Sequence, residues 1–245
     1  MFERKKYKDF AKKQLKNRWT VPVLMTLFIF VILWLFSIPE FVHLANSGVA
    51  DYIINTDPEN FDYMSYSAVI NEATGGSTSF ITSLIQSLAE GILLMAAAGL
   101  YLKMSRSPEK VSFKVFIEGL NNWARAILAT LWKALWIFLW SMLFVIPGIV
   151  KSFAYSQMFY ILNEYQNVSV TKSMKISMLI TKGHKGELFI MQLSFLGWLI
   201  LGAFSLGIGY LWIIPYMEMS FVNAYHAMMK EALETGKLKP EDLTE

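Results

Sequence analysis

The sequence predicts an all-α polytopic membrane protein with about six transmembrane helices arranged as three hairpins. Composition is the first reason: of 245 residues, 55% are hydrophobic and 17% are charged, whereas soluble domains carry roughly a quarter charged residues. Length is the second reason, because apolar runs of about 20 residues, enough to cross a bilayer, cover most of the chain. A transmembrane β-barrel would show short alternating strands instead. We therefore expect a single membrane domain over residues 1–245.

The first element is a basic arm over residues 1–18, which holds eight lysines and arginines. Apolar side chains recur in it at helical spacing and predict one face of an amphipathic helix: Tyr7, Phe10, Ala11 and Leu15. On the opposite face, we expect six basic side chains to contact anionic lipids of the inner leaflet: Lys5, Lys6, Lys12, Lys13, Lys16 and Arg18. The alternative is a solvated basic tail that only sets the orientation of the chain in the membrane.

The first transmembrane helix is predicted from Trp19 to Ile38. Pro39 ends it in this interpretation, because proline disfavours a helical conformation in the residue before it. The apolar run is too long for a signal-peptide core, so we expect it to be retained. Residues 43–78 carry acidic side chains and no lysine or arginine, which predicts an acidic loop outside the cytoplasm. The turn signals of this loop are Asp57-Pro58 and Gly75-Gly76.

Five further transmembrane helices are predicted over residues 79–102, 123–146, 149–162, 187–204 and 208–229. Two basic amphipathic segments lie between them and are expected on the inner surface. The first, over residues 103–122, is predicted to become helical directly after the N-cap Ser107. The second, over residues 169–183, is predicted to be helical from a cap at Ser169 or Thr171.

The distribution of positive charge supports this topology. With both termini in the cytoplasm and residues 230–245 as a cytoplasmic tail, 20 of the 22 lysines and arginines fall in cytoplasmic segments, as the positive-inside rule expects. The exceptions are Lys133, within the third helix, and Lys151, after the second outer turn. The fourth run has poor hydropathy, but without its crossing the lysines from Lys172 to Lys185 would lie outside.

The three hairpins share a pattern, because a basic amphipathic segment precedes each of them. The first two turn at an Ile-Pro pair, and the turn residues predicted for the second and third are Pro147, Gly148, Gly207 and Gly209. Pro215 is predicted to kink the sixth helix. The pattern indicates either a three-unit internal repeat or the ordinary consequence of building a membrane protein from hairpins with short basic inner loops.

Three charged residues stand near the middle of predicted transmembrane helices: Glu90, Lys133 and Glu218. Such charges cost roughly 2.5 to 3.5 kcal/mol on insertion scales, so they usually face the bundle and pair. One interpretation is an ion relay or polar substrate pocket, and the other is a salt bridge that fixes the order of the helices. The polar neighbours expected at this site are Gln86, Ser156 and Tyr160.

Ser156 and Tyr160 belong to a polar stripe predicted on the fourth helix, completed by Ser152, Asn163 and Glu164. This stripe indicates either an aqueous path or hydrogen bonds to neighbouring helices.

Motifs for catalysis and for metal binding are missing from the sequence. It contains no cysteine, and its three histidines, His43, His184 and His226, are far apart and in no metal-binding spacing. The Gly207-x-Gly209 pair lacks the third glycine and the strand of a nucleotide loop. We therefore expect no enzymatic activity, no metal, no cofactor and no nucleic-acid partner.

A series of short motifs runs in order through the chain: KDFAKKQLKNRW, IPGIV with Tyr155 and Tyr160, MLITKGHKGELF, LSFLGW, GIG-LW and PY. In this order they resemble DUF975, a family of bacterial multi-pass membrane proteins known only as a domain of unknown function. The resemblance covers nearly the whole chain apart from the acidic loop and the tail. It implies a protein of the bacterial cytoplasmic membrane, and it brings no activity, ligand or catalytic residue.

Three classes of function remain from the sequence. The favoured class is a non-enzymatic accessory protein of the envelope that binds lipids or partners. Its expected partners are the anionic inner leaflet, another membrane protein or a second copy of the chain. The alternative is a small transporter or channel for ions or small solutes that uses Glu90, Lys133 and Glu218. Nothing in the sequence supports the third class, an intramembrane enzyme.

Overall fold

The computed structural model describes residues 2–46, 48–56, 62–73 and 76–244, without the side chains of residues 40, 43, 44, 72, 73 and 76–79. Within these residues the regular elements are helices, and no strand occurs among them. The prediction of an all-α chain is therefore confirmed. The described helices are α1 Arg4–Leu15, α2 Thr20–Asn46, α3 Val49–Asn55, α4 Tyr63–Ala73, α5 Gly76–Arg106, α6 Lys114–Gly119, α7 Trp123–Leu143, α8 Val145–Ala154, α9 Met158–Glu164, α10 Val170–Ile180, α11 Lys185–Leu193, α12 Leu196–Phe204 and α13 Tyr210–Glu234.

Four stretches of the described helices are long and apolar enough to cross a membrane: Thr20–Pro39, Phe80–Arg106, Lys114–Leu143 and Lys185–Phe204. Large apolar side chains along them are exposed, as expected where lipid replaces water: Trp34, Leu35, Phe80, Leu131, Phe138, Ile200 and Leu201. These features are compatible with a helical membrane protein. Helices α8, α9 and α13 lie outside the four stretches, so the six-helix topology stays a prediction.

The contacts between residues divide the chain into two compact units, Met1–Leu27 with Gly91–Glu245 and Phe28–Glu90. In the first unit, α5, α7, α8, α9 and α10 contribute the side chains of one apolar cluster. The same unit also packs α1 against α13, and α10 against α7, α9 and α13. The single domain predicted from the sequence stays a prediction.

The second unit includes most of the predicted acidic loop. The loop is not irregular throughout, because α3 and α4 form within it and pack together. The Asp62 carboxylate accepts hydrogen bonds from the N–H groups of Met64 (3.1 Å) and Ser65 (3.0 Å), which caps α4. The Ser65 hydroxyl donates to the same carboxylate, and these bonds lower the pKa of Asp62. Several predictions fall outside the described residues: the Asp57-Pro58 turn, Gly75, and the side chains of Glu72 and His43.

Two predicted helix boundaries are wrong. Pro39 lies inside α2, which continues to Asn46; membrane helices tolerate internal proline because other groups satisfy the freed backbone. The helix predicted directly after Ser107 begins at Lys114 instead. The Ser107 hydroxyl accepts a hydrogen bond from the Glu109 N–H at 3.1 Å, so it closes a local turn rather than a helix.

The turn predicted at Pro147-Gly148 lies slightly earlier. Helix α7 ends at Leu143, Phe144 is extended, and α8 resumes at Val145. Pro147 therefore lies in the first helical turn, where its missing N–H costs no intrahelical bond. A Cβ atom at Gly148 would stand 2.0 Å from the Ser141 hydroxyl oxygen, so glycine permits the close approach of α7 and α8.

The predicted fourth and fifth helices are each interrupted. Residues 155–157 separate α8 from α9, and Ser194 with Phe195 separates α11 from α12. The polar stripe of the fourth helix therefore does not lie on one continuous helix.

Two other predictions agree with the described residues, and the kink at Pro215 stays a prediction. The Ser169 hydroxyl caps α10 by accepting from the Lys172 N–H at 3.4 Å. A turn with Gly207 at φ +85° separates α12 from α13, and Pro215 lies within α13.

Candidate functional site

The basic arm forms a helix that is docked on the protein. Tyr7, Ala11 and Leu15 are buried along one face of α1, which packs against α13. The Asn223 side-chain amide donates to the Gln14 side-chain oxygen at 2.8 Å and to the Tyr7 carbonyl at 3.4 Å. Phe10, which the sequence placed on the same face, is 44% exposed. The arm is therefore held by protein contacts and is not a free tail.

The outward face of α1 carries the predicted basic residues. Five of these side chains are exposed: Lys5, Lys6, Lys12, Lys13 and Lys16. Arg18 differs, because its guanidinium donates to the Met104 carbonyl at 3.2 Å and to the Gln14 carbonyl at 3.4 Å. Burial lowers the pKa of Arg18. This arginine ties the end of the arm to α5, a role that its position in a basic run did not reveal.

A groove of about 520 Å³ opens beside the first turn of α1, lined by Phe2, Glu3, Arg4, Lys5, Lys6, Lys8 and Ser194. Lys8 forms its inner wall: the ammonium donates to the Ser194 carbonyl at 3.2 Å and lies 3.9 Å from the centre of the Phe195 ring. Burial, together with the charges of Arg4 and Lys12, lowers the pKa of Lys8. The groove is therefore strongly cationic. Sequence reasoning selected Lys5 and Lys6 but missed the other two cations, because nothing near Lys8 indicated the distant Ser194.

Apolar surface adjoins this cationic groove. Ser194 lies between α11 and α12 in the candidate span Lys185–Phe204. Leu193 and Leu196 beside it are 47% and 51% exposed, and Ile190 one turn earlier is 46% exposed. Positive charge and lipid-type surface therefore meet at one place.

The N-terminal wall of the groove is anchored by a histidine. Phe2 stacks on the His184 ring with centroids 5.7 Å apart. The two ring nitrogens of His184 contact Glu187 at 2.7 Å and Glu231 at 3.1 Å, and Lys237 lies 3.5 Å from Glu231. The hydrogen bond with His184 is the main reason why the pKa of Glu231 is lowered. These contacts join the first residues of the chain to the turn before α11 and to the end of α13.

Three residues of the predicted mid-membrane site lie together in the first unit. The Tyr160 hydroxyl donates to the Glu218 carboxylate at 3.0 Å, and Lys133 is close enough for its charge to act on the same carboxylate. The Lys133 ammonium is also 5.7 Å from the centre of the Phe159 ring. An acid, a base and a phenol can form a salt bridge here or relay a proton.

Of the other predicted members of the site, two belong to the second unit and one bonds locally. Glu90 and Gln86 belong to the second unit, where Glu90 is exposed and Gln86 is partly buried. The Ser156 hydroxyl donates to the Phe153 carbonyl at 2.8 Å and accepts from the Gln157 side-chain amide at 2.6 Å. Ser156 therefore provides a hydrogen-bond partner for a backbone carbonyl next to the interruption between α8 and α9.

A second polar network was not predicted as a unit. Arg106 forms an ion pair with Glu164, and the Tyr225 hydroxyl donates to the same carboxylate at 2.5 Å. The Ser105 hydroxyl contacts the His226 ring at 2.8 Å. The network joins the ends of α5 and α9 to α13.

The fold and these sites define a helical membrane protein with a docked basic arm, and comparison with known proteins adds its family. The chain belongs to the DUF975 family, described as a protein of unknown function, whose model matches residues 1–151 and 142–232. The resemblance predicted from the motifs is thereby confirmed. No curated protein and no solved structure matches the chain.

Proposed function

We propose that this protein is a non-enzymatic accessory protein of the cell envelope that binds the anionic inner leaflet through α1. The observation that carries the proposal is the docked arm with its five exposed lysines. Each lysine or arginine near an anionic surface contributes about 1 kcal/mol of attraction. Five of them together are enough to hold anionic lipids beside the protein.

The docked arrangement determines how the arm would act. Tyr7, Ala11 and Leu15 are already buried against α13, so this apolar face does not insert into lipid. Attraction to the leaflet is then mainly electrostatic, and it weakens as salt shortens the screening length from about 8 Å at 0.15 M to about 3 Å at 1 M. Because α1 is already ordered, its lysines are presented without the entropy cost of folding a free tail.

Lipid analysis in native-lipid discs tests the proposal. We expect anionic phospholipids to be enriched around the purified protein relative to the bulk bacterial membrane, and this enrichment to fall at 1 M salt. A variant with all five exposed lysines of α1 replaced by glutamine should lose most of it, whereas bound zwitterionic lipid should not change. An anionic fraction equal to that of the bulk membrane would contradict the proposal.

The proposed topology has six crossings of the bacterial cytoplasmic membrane, with both termini in the cytoplasm. Two short turns support it, one at Phe144 between α7 and α8 and one at residues 205–209 between α12 and α13. Each turn joins helices that pack together. Of the 22 lysines and arginines of the chain, 20 fall in the segments that this topology places inside.

Single-cysteine labelling tests this topology directly, because the chain has no native cysteine. In intact cells, a membrane-impermeant maleimide is expected to label Thr56→Cys and Leu206→Cys. Lys110→Cys and Lys237→Cys should react only after the membrane is permeabilised. Labelling of Lys110→Cys in intact cells, with Thr56→Cys protected, would invert the orientation and overturn the topology.

A further inference from the structure

We infer that the cationic groove between the first turn of α1 and the α11–α12 interruption is a binding site for one anionic phospholipid. The phosphate would contact Arg4, Lys5 and Lys6, and the acyl chains would lie on the apolar surface of α11 and α12. The inference rests on the proposed function and assigns lipid binding to one site. It is carried by three observations: the position of Lys8, the charge of the groove and the exposed apolar side chains of the neighbouring helices.

The first observation is where Lys8 lies. Its ammonium bonds to the Ser194 carbonyl, and Ser194 stands near the middle of the candidate span Lys185–Phe204. The Lys8 ammonium therefore lies against a predominantly apolar helix, where a cation is unfavourable unless polar or anionic groups accompany it. A headgroup phosphate beside Ser194 supplies such a group.

The break between α11 and α12 at Ser194 lies in the wall of the groove. Helix α11 ends at Leu193 and α12 begins at Leu196. In a lipid environment, irregular backbone is tolerated only where it is covered by protein or lines a hydrated or polar site. The ammonium of Lys8 satisfies one carbonyl of the interruption, and the groove lies directly beside it.

The second observation is the charge balance of the lining. Four cations, Arg4, Lys5, Lys6 and Lys8, face one carboxylate, Glu3, which contacts Lys6 at 3.2 Å. The groove therefore keeps an excess of positive charge after its internal pair is formed. An arginine fork and lysine ammonium groups are the usual protein partners of phosphate oxygens.

The third observation distinguishes a phospholipid from a soluble anion. Ser194 lines the groove, and exposed apolar side chains of the candidate span stand close to it in the chain, among them Ile190, Leu193 and Leu196. Inorganic phosphate or an acidic peptide would leave these side chains uncovered. A phospholipid places its charge and its acyl chains in the two environments that meet here.

Two variants of equal charge test the site. Lys5→Gln/Lys6→Gln removes two groove cations, and Lys103→Gln/Lys110→Gln removes two exposed lysines outside both α1 and the groove. Each protein is delipidated and titrated with phosphatidylglycerol or phosphatidylcholine, and bound lipid is counted by native mass spectrometry. We expect one tightly bound phosphatidylglycerol per chain in the parent, about tenfold weaker binding in the groove variant, and a change of less than about threefold in the control variant.

The outcomes distinguish failure of the groove as a lipid site from failure of the proposed function. Equal weakening in the two variants overturns the groove but leaves general attraction to the leaflet intact. No preference for phosphatidylglycerol in the parent overturns both. Displacement of the bound lipid by millimolar glycerol phosphate alone, or unchanged phosphatidylglycerol binding in Leu193→Asn/Leu196→Asn, shows that the acyl chains are not held there and also overturns the inference. Unchanged thermal unfolding of the glutamine variants verifies that their folds are intact.

Discussion

Replacing Lys133 with methionine is expected to lower the free energy of unfolding by about 1 to 3 kcal/mol, the usual cost of depriving a buried polar group of a favourable partner. The reason is that the Glu218 carboxylate would stay partly buried and lose the nearby positive charge that acts on it. Its hydrogen bond from Tyr160 would remain but does not replace a charge. The measurement is the free energy of unfolding in detergent micelles, followed by tryptophan fluorescence.

The double variant Lys133→Met/Glu218→Leu is the critical comparison. If the pair fixes the order of the helices, removing both charges should restore most of the stability, because no unpaired charge remains. Glu90→Gln is the control, since Glu90 is exposed in the second unit, and surface changes of this kind usually stay within about 0.5 kcal/mol. A stable Lys133→Met protein would contradict the structural role.

The same variants separate the structural interpretation from the transporter alternative. Glu218→Gln keeps an oxygen that can accept the hydrogen bond of Tyr160 but cannot carry a proton. Full stability of this variant, combined with a lost proton or ion flux in proteoliposomes, would identify Tyr160 and Glu218 as part of a transport path. Loss of stability without any flux in the parent would support the salt bridge.

Sequence reasoning found these residues because charge is costly in an apolar run. Lys133 and Glu218 stand out in any hydropathy profile, and the structure brings them together in one unit. The same reasoning gave Glu90 equal weight; its side chain is exposed within the second unit, and its place in the site stays a prediction. A single sequence gives the depth of a charge in its helix, but not the direction in which the helix faces.

Periodicity predicted which face of α1 is buried but not its partner. Tyr7, Ala11 and Leu15 repeat every four residues, a local signal. The partner, α13, is about two hundred residues away in the chain, and no local pattern specifies it. The same limit hid the groove, because Lys8 reaches the carbonyl of Ser194 in another helix.

The helix boundaries predicted from proline were wrong, and the interruptions that the structure shows fall at residues that do not predict a break. Pro39 and Pro147 both lie inside helices, since position and environment decide whether a proline is tolerated. The interruption between α11 and α12 falls at Ser194 and Phe195, so neither proline nor glycine stands at this break. Tertiary contacts, such as the Lys8 bond to the Ser194 carbonyl, stabilise such a site in ways that local propensity does not encode.

The internal repeat stays a prediction, and two features of the structure are relevant to it. Helix α10 buries Ser173, Ser177 and Thr181, which have the same spacing as the buried residues of α1. Both helices are followed by a residue with positive φ, Asn17 at +62° and Gly183 at +96°. Two of the three amphipathic segments thus bury equivalent positions and end alike.

Arg125 provides the second large effect, because it holds the end of α9 through backbone carbonyls alone. Its guanidinium donates to the carbonyls of Leu162 at 3.2 Å, Tyr165 at 3.5 Å and Val168 at 2.5 Å. The last carbonyls of a helix lack intrahelical partners, and a cation also stabilises the negative end of the helix dipole. No acidic partner near Arg125 in the sequence signalled this role.

Arg125→Met is expected to reduce the free energy of unfolding by about 3 kcal/mol, given that a hydrogen bond to a charged group contributes about 1.5 to 3 kcal/mol and that the bonds are not additive. Arg125→Lys should recover only part of the loss, because an ammonium lacks the planar fork that reaches several carbonyls at once. Lys110→Met, an exposed change in the same part of the chain, is the control.

Hydrogen exchange gives the local readout. The N–H group of Tyr165 bonds to the Ile161 carbonyl and that of Val168 to the Tyr165 carbonyl, and both should exchange faster in Arg125→Met. Unchanged protection of these two amides, together with unchanged stability, would show that the guanidinium does not hold this turn.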